Sequence, residues 1–161
     1  MSIENPRPDD APAIARLASG TGVFTQEEIR IVGEMLAGYF HPHSQDDHTF
    51  VVSRNGTPDS VAGFACYGPT PLTDKVWDLY WICVDRAEQC HGVGRGLLQC
   101  VEQDVQAHHG RAIYLETSDS GDYAAARRFY EHNGYELLAH IDDFYADGEG
   151  KVIYRKSFRK K

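Results

Sequence analysis

The sequence predicts an α+β domain of three layers, in which a mixed, mostly antiparallel sheet of about six to seven strands is flanked by about four helices. Short β-rich and helical segments alternate over 161 residues, without an internal repeat or a long linker. Two β-rich runs flank a turn-rich stretch at 55–59, which is typical of an antiparallel hairpin. A strong strand at 76–84 precedes an amphipathic helix. We therefore expect one domain over residues 1–161.

The first half of the chain is predicted to hold a short strand, two helices and the hairpin. Asp9 and Asp10 are N-cap candidates for the first helix, and Thr25 with Glu28 matches a capping box before the second. The β-rich runs TFVVSR and VAGFACY supply the hairpin strands. The predicted elements are a strand near Ile3, helices over 11–18 and 26–38, and strands over 49–54 and 61–67.

The segment Val76–Val84 is the strongest predicted strand. Its odd positions, from Trp77 to Cys83, are all apolar, whereas its even positions mix polar and apolar side chains. Because a strand sends alternate side chains to opposite faces, we expect the odd positions in the core. We expect the even positions, which include Asp78, to border a cleft.

Helices and strands alternate again in the second half. Apolar side chains at 93, 97, 98, 101 and 105 mark one side of a helix, and Asn133-Gly134 is a helix stop. The predicted elements are helices over 92–107 and 122–132, strands over 112–116, 135–141 and 151–158, and a polar loop over 142–150.

The charge balance argues against nucleic acid as a partner. Lys and Arg number 16 against 24 Asp and Glu, a formal net charge of −8, whereas nucleic-acid binders usually carry a basic excess. We interpret the basic run from Arg155 to Lys161 as a solvated chain end. An acidic protein is compatible with cationic small molecules, amines included.

Neither a membrane nor a metal ion is expected. No apolar run approaches the roughly 18 residues of a membrane span, and the N-terminus lacks a secretion signal, so we expect a cytoplasmic protein. The four cysteines show no zinc-finger spacing, and we expect reduced thiols. His41, His43 and His48 come closest to a metal pattern, but neither a cysteine nor a close carboxylate pattern completes it.

The stretch Gln89–Leu97 (QCHGVGRGL) is the most informative about chemistry. Each of its three glycines lowers helix propensity by about 1 kcal/mol relative to alanine, so a compensating role is expected. Glycine lets a ligand approach the backbone, and the first N–H groups of a helix lack internal partners and favour anions. Neither P-loop nor G-x-G-x-x-G spacing is present. The residues alone leave two interpretations open, a phosphate cradle and a turn without ligand.

Two motifs resemble the GNAT superfamily of N-acetyltransferases. Gln89-x-x-Gly92-x-Gly94, after a strand that ends at Val84, matches the acyl-CoA-binding motif of that family. The segment Ala126–Tyr135 (ARRFYEHNGY) looks like its A-x-x-F-Y-E-x-x-G-F/Y helix-to-strand segment. The order of elements agrees over nearly the whole chain. The resemblance implies a GNAT-like fold, acetyl-CoA as cosubstrate and an amine as acceptor, with no metal.

The resemblance also implies which residues contact coenzyme A. In the family, the strand before the glycine motif splays from its neighbour and pairs with the pantetheine, and the helix start binds the diphosphate. Tyr123 stands where many members carry an asparagine that contacts the pantetheine. The residues assigned to coenzyme A are Ile82, Cys83, Val84, Gln89, Cys90, His91, Gly92, Val93, Gly94, Arg95, Gly96, Tyr123 and Tyr130.

Two catalytic roles follow from the same resemblance. Tyr130 matches the tyrosine beside the sulfur of coenzyme A, where a phenol can protonate the departing thiolate. Asp78, four residues before Ile82 and expected on the same strand face, matches a carboxylate that takes the proton of the amine. The alternatives are that Asp78 only binds a cationic substrate, or that Glu116 is the base. Direct transfer is preferred to a covalent route through Cys83 or Cys90.

The expected function is transfer of an acetyl group from acetyl-CoA to a primary amine within a ternary complex. The alternative function, which is not enzymatic, is that of a non-catalytic acyl-CoA-binding sensor or interaction module. The resemblance assigns acceptor specificity to residues 21–40 and 142–150. The acceptor stays open among polyamines, antibiotics, amino acids, peptide N-termini and lysine side chains. Dimers are frequent in the family, and the oligomeric state stays open as well.

Overall fold

The computed structural model describes residues 1–159, which contain seven strands and four α-helices. Lys160 and Lys161, the end of the predicted basic run, lie outside the described residues. The elements are β1 (Ser2–Glu4), α1 (Ala11–Gly20), α2 (Gln26–Phe40), β2 (Thr49–Arg54), β3 (Val61–Pro69), β4 (Val76–Val84), α3 (Val93–Ala107), β5 (Ala112–Ser118), α4 (Ala124–His132), β6 (Glu136–Ala146) and β7 (Glu149–Ser157). No helix within residues 1–159 is long and apolar enough to cross a bilayer.

The strands form one sheet in the order β1-β2-β3-β4-β5-β7-β6. The pair β4–β5 is parallel and the other pairs are antiparallel. Along β2, Val51 packs with α3 whereas Phe50 and Val52 pack with α1 and α2. Because neighbouring side chains of a strand point to opposite faces, these helices cover the two sides of the sheet. The predicted three-layer α+β fold with a mixed sheet is confirmed.

The middle of the sheet opens between β4 and β5. These strands pair only where Val76, Trp77 and Asp78 face residues 112–114. Beyond Asp78 the strands diverge, while β4 continues to Val84 and β5 to Ser118. The splay implied by the family resemblance is confirmed by this register, and it leaves one edge of β4 unpaired.

A β-bulge at Tyr80 changes the direction of the side chains along β4. Two consecutive residues of β3 lie opposite Leu79 and Trp81, so Tyr80 is an extra residue in β4. Before the bulge Leu79 packs on the α3 side, and after it Cys83 packs on the α1–α2 side. The prediction that all odd positions of β4 share one face is wrong, because the inserted residue shifts the alternation by one.

The connection between β6 and β7 is shorter than predicted. β6 runs to Ala146 and β7 begins at Glu149, so the predicted loop over 142–150 is wrong. β6 is the last strand of the sheet, and its side chains are mostly exposed. A strand in that position tolerates polar residues such as Asp142 and Asp143, and these residues suggested a loop in the sequence.

The basic residues near the C-terminus are partly built into the sheet. Arg155 pairs with Glu136 at 2.5 Å, and Lys156 pairs with Glu102 at 2.9 Å. Both basic residues lie in β7. The interpretation of Arg155 and Lys156 as a solvated chain end is therefore wrong, because each has a carboxylate partner from a neighbouring element.

Candidate active site

A cleft of about 2210 Å³ opens where β4 and β5 diverge. The α1–α2 connection lines it through Val23 and Phe24, the start of α3 through Gly92 and Gly94, and the start of β7 through Glu149. The cleft therefore borders both layers of helices. This position at the carboxyl ends of two parallel strands is the usual place for a ligand site in an opened sheet.

The main chain of Ile82 and Val84 faces this cleft. The Asp85 N–H donates to the Ala62 carbonyl on β3 at 2.8 Å. Because successive residues of a strand point their N–H and C=O groups to opposite edges, Ile82 and Val84 point theirs to the edge that β5 has left. β5 supplies no pairing partner there. The cleft thus has free main-chain donors where the resemblance implied them.

Cys83 points in the other direction, away from the cleft. Its predicted contact with coenzyme A is therefore wrong. Its carbonyl lies towards Gly63 of β3, where an added Cβ would come within 2.8 Å of it. Its thiol is buried, 3.5 Å from the Leu17 carbonyl, and burial raises the pKa of this thiol to about 12. Neither the main chain nor the side chain of Cys83 is available to a ligand, and the thiol is not a ready nucleophile.

The turn before α3 leaves its first amides open. Gly92 has a φ of 84°, a left-handed conformation that favours glycine, and no side chain caps the helix. A Cβ added at Gly92 would meet no atom within 4 Å. Gly94 borders the cleft, with the Phe129 ring 3.4 Å from an added Cβ. The uncapped amides over 93–95 fit a phosphate or diphosphate group.

Gly96 lies beyond the uncapped amides over 93–95, and its predicted contact with the diphosphate is wrong. Its amide already donates to the Gly92 carbonyl at 2.9 Å. An added Cβ would lie 3.0 Å from Met1 and 3.3 Å from Ile3. Gly96 therefore allows α3 to approach β1, which is a packing role.

The other residues of the loop divide between the cleft and its surroundings. Gln89, Cys90 and Arg95 line the cleft. The Gln89 amide nitrogen donates to the Val84 carbonyl at 3.2 Å and ties the loop to the end of β4. His91 is exposed, and the Val93 side chain is buried in the core, so only its amide remains for a ligand.

Tyr130 borders the cleft from α4. Its side chain is 8% exposed, and its ring packs against Phe129, Tyr135 and Tyr154 with centroids 5.4, 5.9 and 6.3 Å away. Burial raises the pKa of the phenol, which stays protonated at neutral pH. Its hydroxyl has no hydrogen-bond partner within residues 1–159 and is free to donate to a ligand.

Asp78 lies at the apex of the opening between β4 and β5. Its carboxylate accepts a hydrogen bond from the Thr70 hydroxyl at 2.8 Å. Burial raises the pKa of Asp78, the Thr70 hydrogen bond lowers it and the charge of Glu116 raises it, so that the pKa lies above its ordinary value. A carboxylate of raised pKa is a better proton acceptor for an ammonium group.

The bulge separates Asp78 from Ile82. The Leu79 side chain faces α3, so its neighbour Asp78 points to the opposite face of the strand. The Ile82 side chain packs on the α3 side. Asp78 therefore faces the α1–α2 side. The expectation that Asp78 and Ile82 share one strand face is wrong, and the reason is the extra residue at Tyr80.

Tyr123 lines the cleft and is joined to the α1–α2 connection by a hydrogen bond. Its hydroxyl donates to the Val23 carbonyl at 3.0 Å, and burial raises the pKa of the phenol to about 12. The hydroxyl proton is thus used within the protein, and the contact of Tyr123 with the pantetheine stays a prediction. The ring still lines the cleft.

Several residues of the cleft were missed by the sequence interpretation. Thr70 and Arg86 lie in loops, and no pattern in the sequence distinguishes them. Tyr114 belongs to β5, and its pairing with Asp78 brings it to the cleft. Glu149 also lines the cleft and lies in the segment 142–150, to which the resemblance assigned acceptor specificity. Tyr145 was not missed: it lies in the segment 142–150, to which the resemblance assigned acceptor specificity, and it lines the cleft from β6.

The three histidines closest to a metal pattern are not brought together into a cluster. His48 instead lies edge-on to Tyr80, with centroids 5.1 Å apart. Within residues 1–159, three possible ligands meet at Asp119, His140 and Asp142, whose ligand atoms lie within 4.8 Å of one another. Two of these residues are exposed, and exposed groups of this kind are common without a metal.

The sequence and the fold both match known proteins. Residues 19–135 match the family model described as the acetyltransferase (GNAT) family. A crystal structure of a GNAT-family protein from Desulfovibrio desulfuricans has a TM-score of 0.92 and 38% identity, and covers 97% of this chain and 98% of that chain. The chain belongs to the GNAT acetyltransferase family. Its membership makes it an acyltransferase.

Other solved structures share the fold of this GNAT protein at lower identity. An aminoglycoside 6'-N-acetyltransferase in complex with coenzyme A has a TM-score of 0.78 at 17% identity, and covers 100% of this chain and 99% of that chain. The ribosomal-protein-S18-alanine N-acetyltransferase from Escherichia coli has a TM-score of 0.76 at 21% identity, with coverage of 99% and 95%. Among curated proteins, none matches this sequence at a significant level.

Proposed function

We propose that this GNAT protein transfers the acetyl group of acetyl-CoA to a primary amine. The observation that carries the proposal is the open edge of β4, where the main chain of Ile82 and Val84 lies beside the uncapped turn at Gly92. In this proposal the strand edge binds the pantetheine amides, and the helix start binds the diphosphate. Arg86 and Arg95, which precede and follow the turn at Gly92 and both line the cleft, add positive charge for the phosphates.

The chemical step is direct attack of the amine on the thioester. The amine nitrogen forms a bond to the carbonyl carbon, and the Ile82 N–H stabilises the negative charge that develops on the oxygen. The carbon–sulfur bond then breaks, and Tyr130 donates a proton to the departing thiolate. The nitrogen of the adduct loses its second proton through solvent, which returns a proton to the Tyr130 phenolate. Asp78 accepts the proton that the ammonium group must lose, directly or through a water molecule.

The two sides of β4 favour a ternary complex. Tyr130 packs on the α3 side, whereas Asp78 faces the α1–α2 side. A thioester and an amine can therefore enter the opening from opposite sides and meet without a covalent enzyme intermediate. The buried Cys83 thiol, with its raised pKa, supports direct transfer over a route through that cysteine.

The test is release of free thiol from acetyl-CoA in the presence of a panel of primary amines. We expect one thiol for each amine acetylated, above the slow hydrolysis of acetyl-CoA alone. Calorimetry of coenzyme A binding accompanies the assay. Tight binding without thiol release for any amine would instead identify a non-catalytic acyl-CoA sensor.

The folds of the aminoglycoside and alanine acetyltransferases support an amino group as the acceptor. The cytoplasmic location and the single domain over 1–161 stay predictions. The oligomeric state stays open, with a homodimer as the arrangement suggested by the family.

A further inference from the structure

The two ends of the cleft carry opposite charges. Arg86, which follows β4, and Arg95, in the first turn of α3, flank the turn at Gly92 and line the cleft. Five carboxylates line the cleft. Four of them come from four different elements, and we call these four the acidic end: Glu28 of α2, Asp78 of β4, Glu116 of β5 and Glu149 of β7. The fifth, Asp122, is exposed and lies just before α4. Coenzyme A accounts for the basic end in the proposed function, whereas the acidic end has no assigned ligand.

Three of these carboxylates follow the same face of β5. Asp78 lies opposite Tyr114 in the parallel register, and Glu116 follows Tyr114 by two residues on that face. The Glu149 carboxylate accepts a hydrogen bond at 2.6 Å from Ser118, which is two residues farther along. At about 3.3 Å per residue, each step of two residues is about 7 Å. The carboxylates therefore form a row that leads away from the apex of the cleft.

Most of this negative charge has no counter-charge from the protein. Lys151 pairs with Glu116 at 2.7 Å. The recorded partners of the other three are neutral donors: the Thr70 hydroxyl for Asp78, the Ser118 hydroxyl for Glu149 and the Thr25 amide for Glu28. Within residues 1–159 none of these three forms an ion pair. These four carboxylates and one ammonium group sum to a charge of −3, and Asp122 adds a further negative charge to the cleft.

Aromatic rings border the acidic end as well. Tyr114 and Tyr145 line the cleft there. Burial raises the pKa of Tyr145, and the charges of Glu116, Glu28 and Glu149 raise it further, which reflects their closeness to its hydroxyl. The Lys151 ammonium group lies 4.0 Å from the centroid of Phe144, so a cation already contacts an aromatic face here.

We propose that the acceptor is a small amine with at least two ammonium groups, one reacting beside Asp78 while a second is held by Glu116 and Glu149. The inference rests on the proposed function and names the substrate class of the same site. The step along β5 is comparable to the separation of the nitrogens in an extended propane or butane diamine. A row of carboxylates without counter-charges attracts such a cation and orients it towards the thioester.

The experiment compares 1,4-diaminobutane with 1-aminobutane, which has the same carbon chain and one charge fewer. Binding to the protein saturated with coenzyme A is measured by calorimetry, and kcat/KM is measured by thiol release. We expect about a tenfold preference for the diamine in both, the size of one ion pair in a half-exposed site. A cyclic diamine, 2-deoxystreptamine, distinguishes a ring acceptor from a linear one.

Glu149→Gln supplies the matched test of the row. We expect it to reduce the preference for the diamine about fivefold, with little change for 1-aminobutane. Asp59→Asn, an exposed acidic residue of the β2–β3 connection outside the cleft, is the control and should change neither value. Equal binding of both amines, or a preference unchanged in Glu149→Gln, would overturn the inference. If neither amine causes thiol release, acetyl transfer to these amines is refuted. The calorimetric comparison of diamine and monoamine binding then still tests the inference by itself.

Discussion

The phenol of Tyr123 donates a hydrogen bond to the main-chain carbonyl of Val23 at 3.0 Å, and so joins segments 100 residues apart in the chain. Tyr123 directly precedes α4, and Val23 belongs to the connection between α1 and α2. Both residues line the cleft. This hydrogen bond therefore connects the helical layers on the two sides of the sheet.

Tyr123→Phe removes this hydrogen bond and keeps the ring. We expect the free energy of unfolding to fall by about 1 kcal/mol, because the half-buried Val23 carbonyl loses its donor. Urea unfolding measures the change. Tyr145→Phe is the control, since the Tyr145 hydroxyl has no hydrogen-bond partner within residues 1–159. Equal stability of the two variants would show that the connection is unimportant.

Thr70→Val should move the pH dependence of the reaction. The Thr70 hydrogen bond lowers the pKa of Asp78, so its removal raises that pKa further. The carboxylate is the active form of a base, and the acid limb of the kcat/KM profile should therefore shift to higher pH. Thr73→Val, whose hydroxyl bonds main-chain carbonyls, is the control. An acid limb that stays in place would remove Asp78 from the role of base.

Tyr130→Phe tests the proposed general acid. We expect kcat to fall about 100-fold, the lower range for loss of acid catalysis. Acetyl-CoA affinity should be retained, since the aromatic ring and its packing remain. The comparison requires kcat from thiol release and an acetyl-CoA dissociation constant from calorimetry. Unchanged turnover would refute the role.

Two glycines of the α3 turn should separate binding from stability. Gly94→Val places a side chain between the cleft and Phe129, and we expect coenzyme A affinity to fall about tenfold. Gly96→Val places the same side chain against Met1 and Ile3, so that stability should fall by about 1–3 kcal/mol through overpacking while affinity is retained. Calorimetry and urea unfolding of both variants give the comparison. Lower coenzyme A affinity in Gly96→Val and retained affinity in Gly94→Val would contradict the assignment of the diphosphate site to the amides over 93–95.

The buried pair of Asp10 and Arg54 should carry much of the pH dependence of stability. Arg54 bonds both Asp10 oxygens, at 3.0 and 2.6 Å, and lowers the pKa of Asp10. The stabilisation is therefore present above the unfolded pKa of about 3.9 and is lost as pH falls through the lower folded value. Asp10→Asn should cost about 1.5–3 kcal/mol at pH 7, because the buried guanidinium loses its hydrogen bonds to one carboxylate and keeps Glu4, at 2.5 Å, as its other partner.

Urea unfolding at neutral and at acidic pH measures this effect. The difference between Asp10→Asn and the unmodified protein should shrink in acid, where Asp10 of the unmodified protein becomes protonated. Asp9→Asn, at an exposed neighbouring position, is the control and should follow the unmodified protein. A difference that is independent of pH would mean that the charge of Asp10 is not what Arg54 requires.

Elements with strong local signals were predictable from the sequence. The capping box of Thr25 and Glu28 fixes the start of α2 at Gln26, as expected. The segment of β4, which is rich in β-branched and aromatic residues, gave correct bounds, from Val76 to Val84. The glycine motif likewise indicated an open helix start, because its cost to the helix needs a compensating role.

Features set by pairing between distant segments were not predictable. The bulge at Tyr80 depends on the register with β3, and a pattern of alternate side chains cannot reveal it. Gly96 follows the same spacing as Gly92 and Gly94, yet its neighbours are Met1 and Ile3 from the other end of the chain. The acidic end likewise forms only when four separate elements meet.

Amide chemical shifts during a titration with acetyl-CoA test most directly whether the cofactor lies along β4 and the start of α3. We predict that the largest shifts occur at Ile82, Val84, Gly92 and Gly94, with smaller ones at Cys83 and Gly96, whose amides point into the protein. Shifts confined to another surface, or none at saturating acetyl-CoA, would contradict the account.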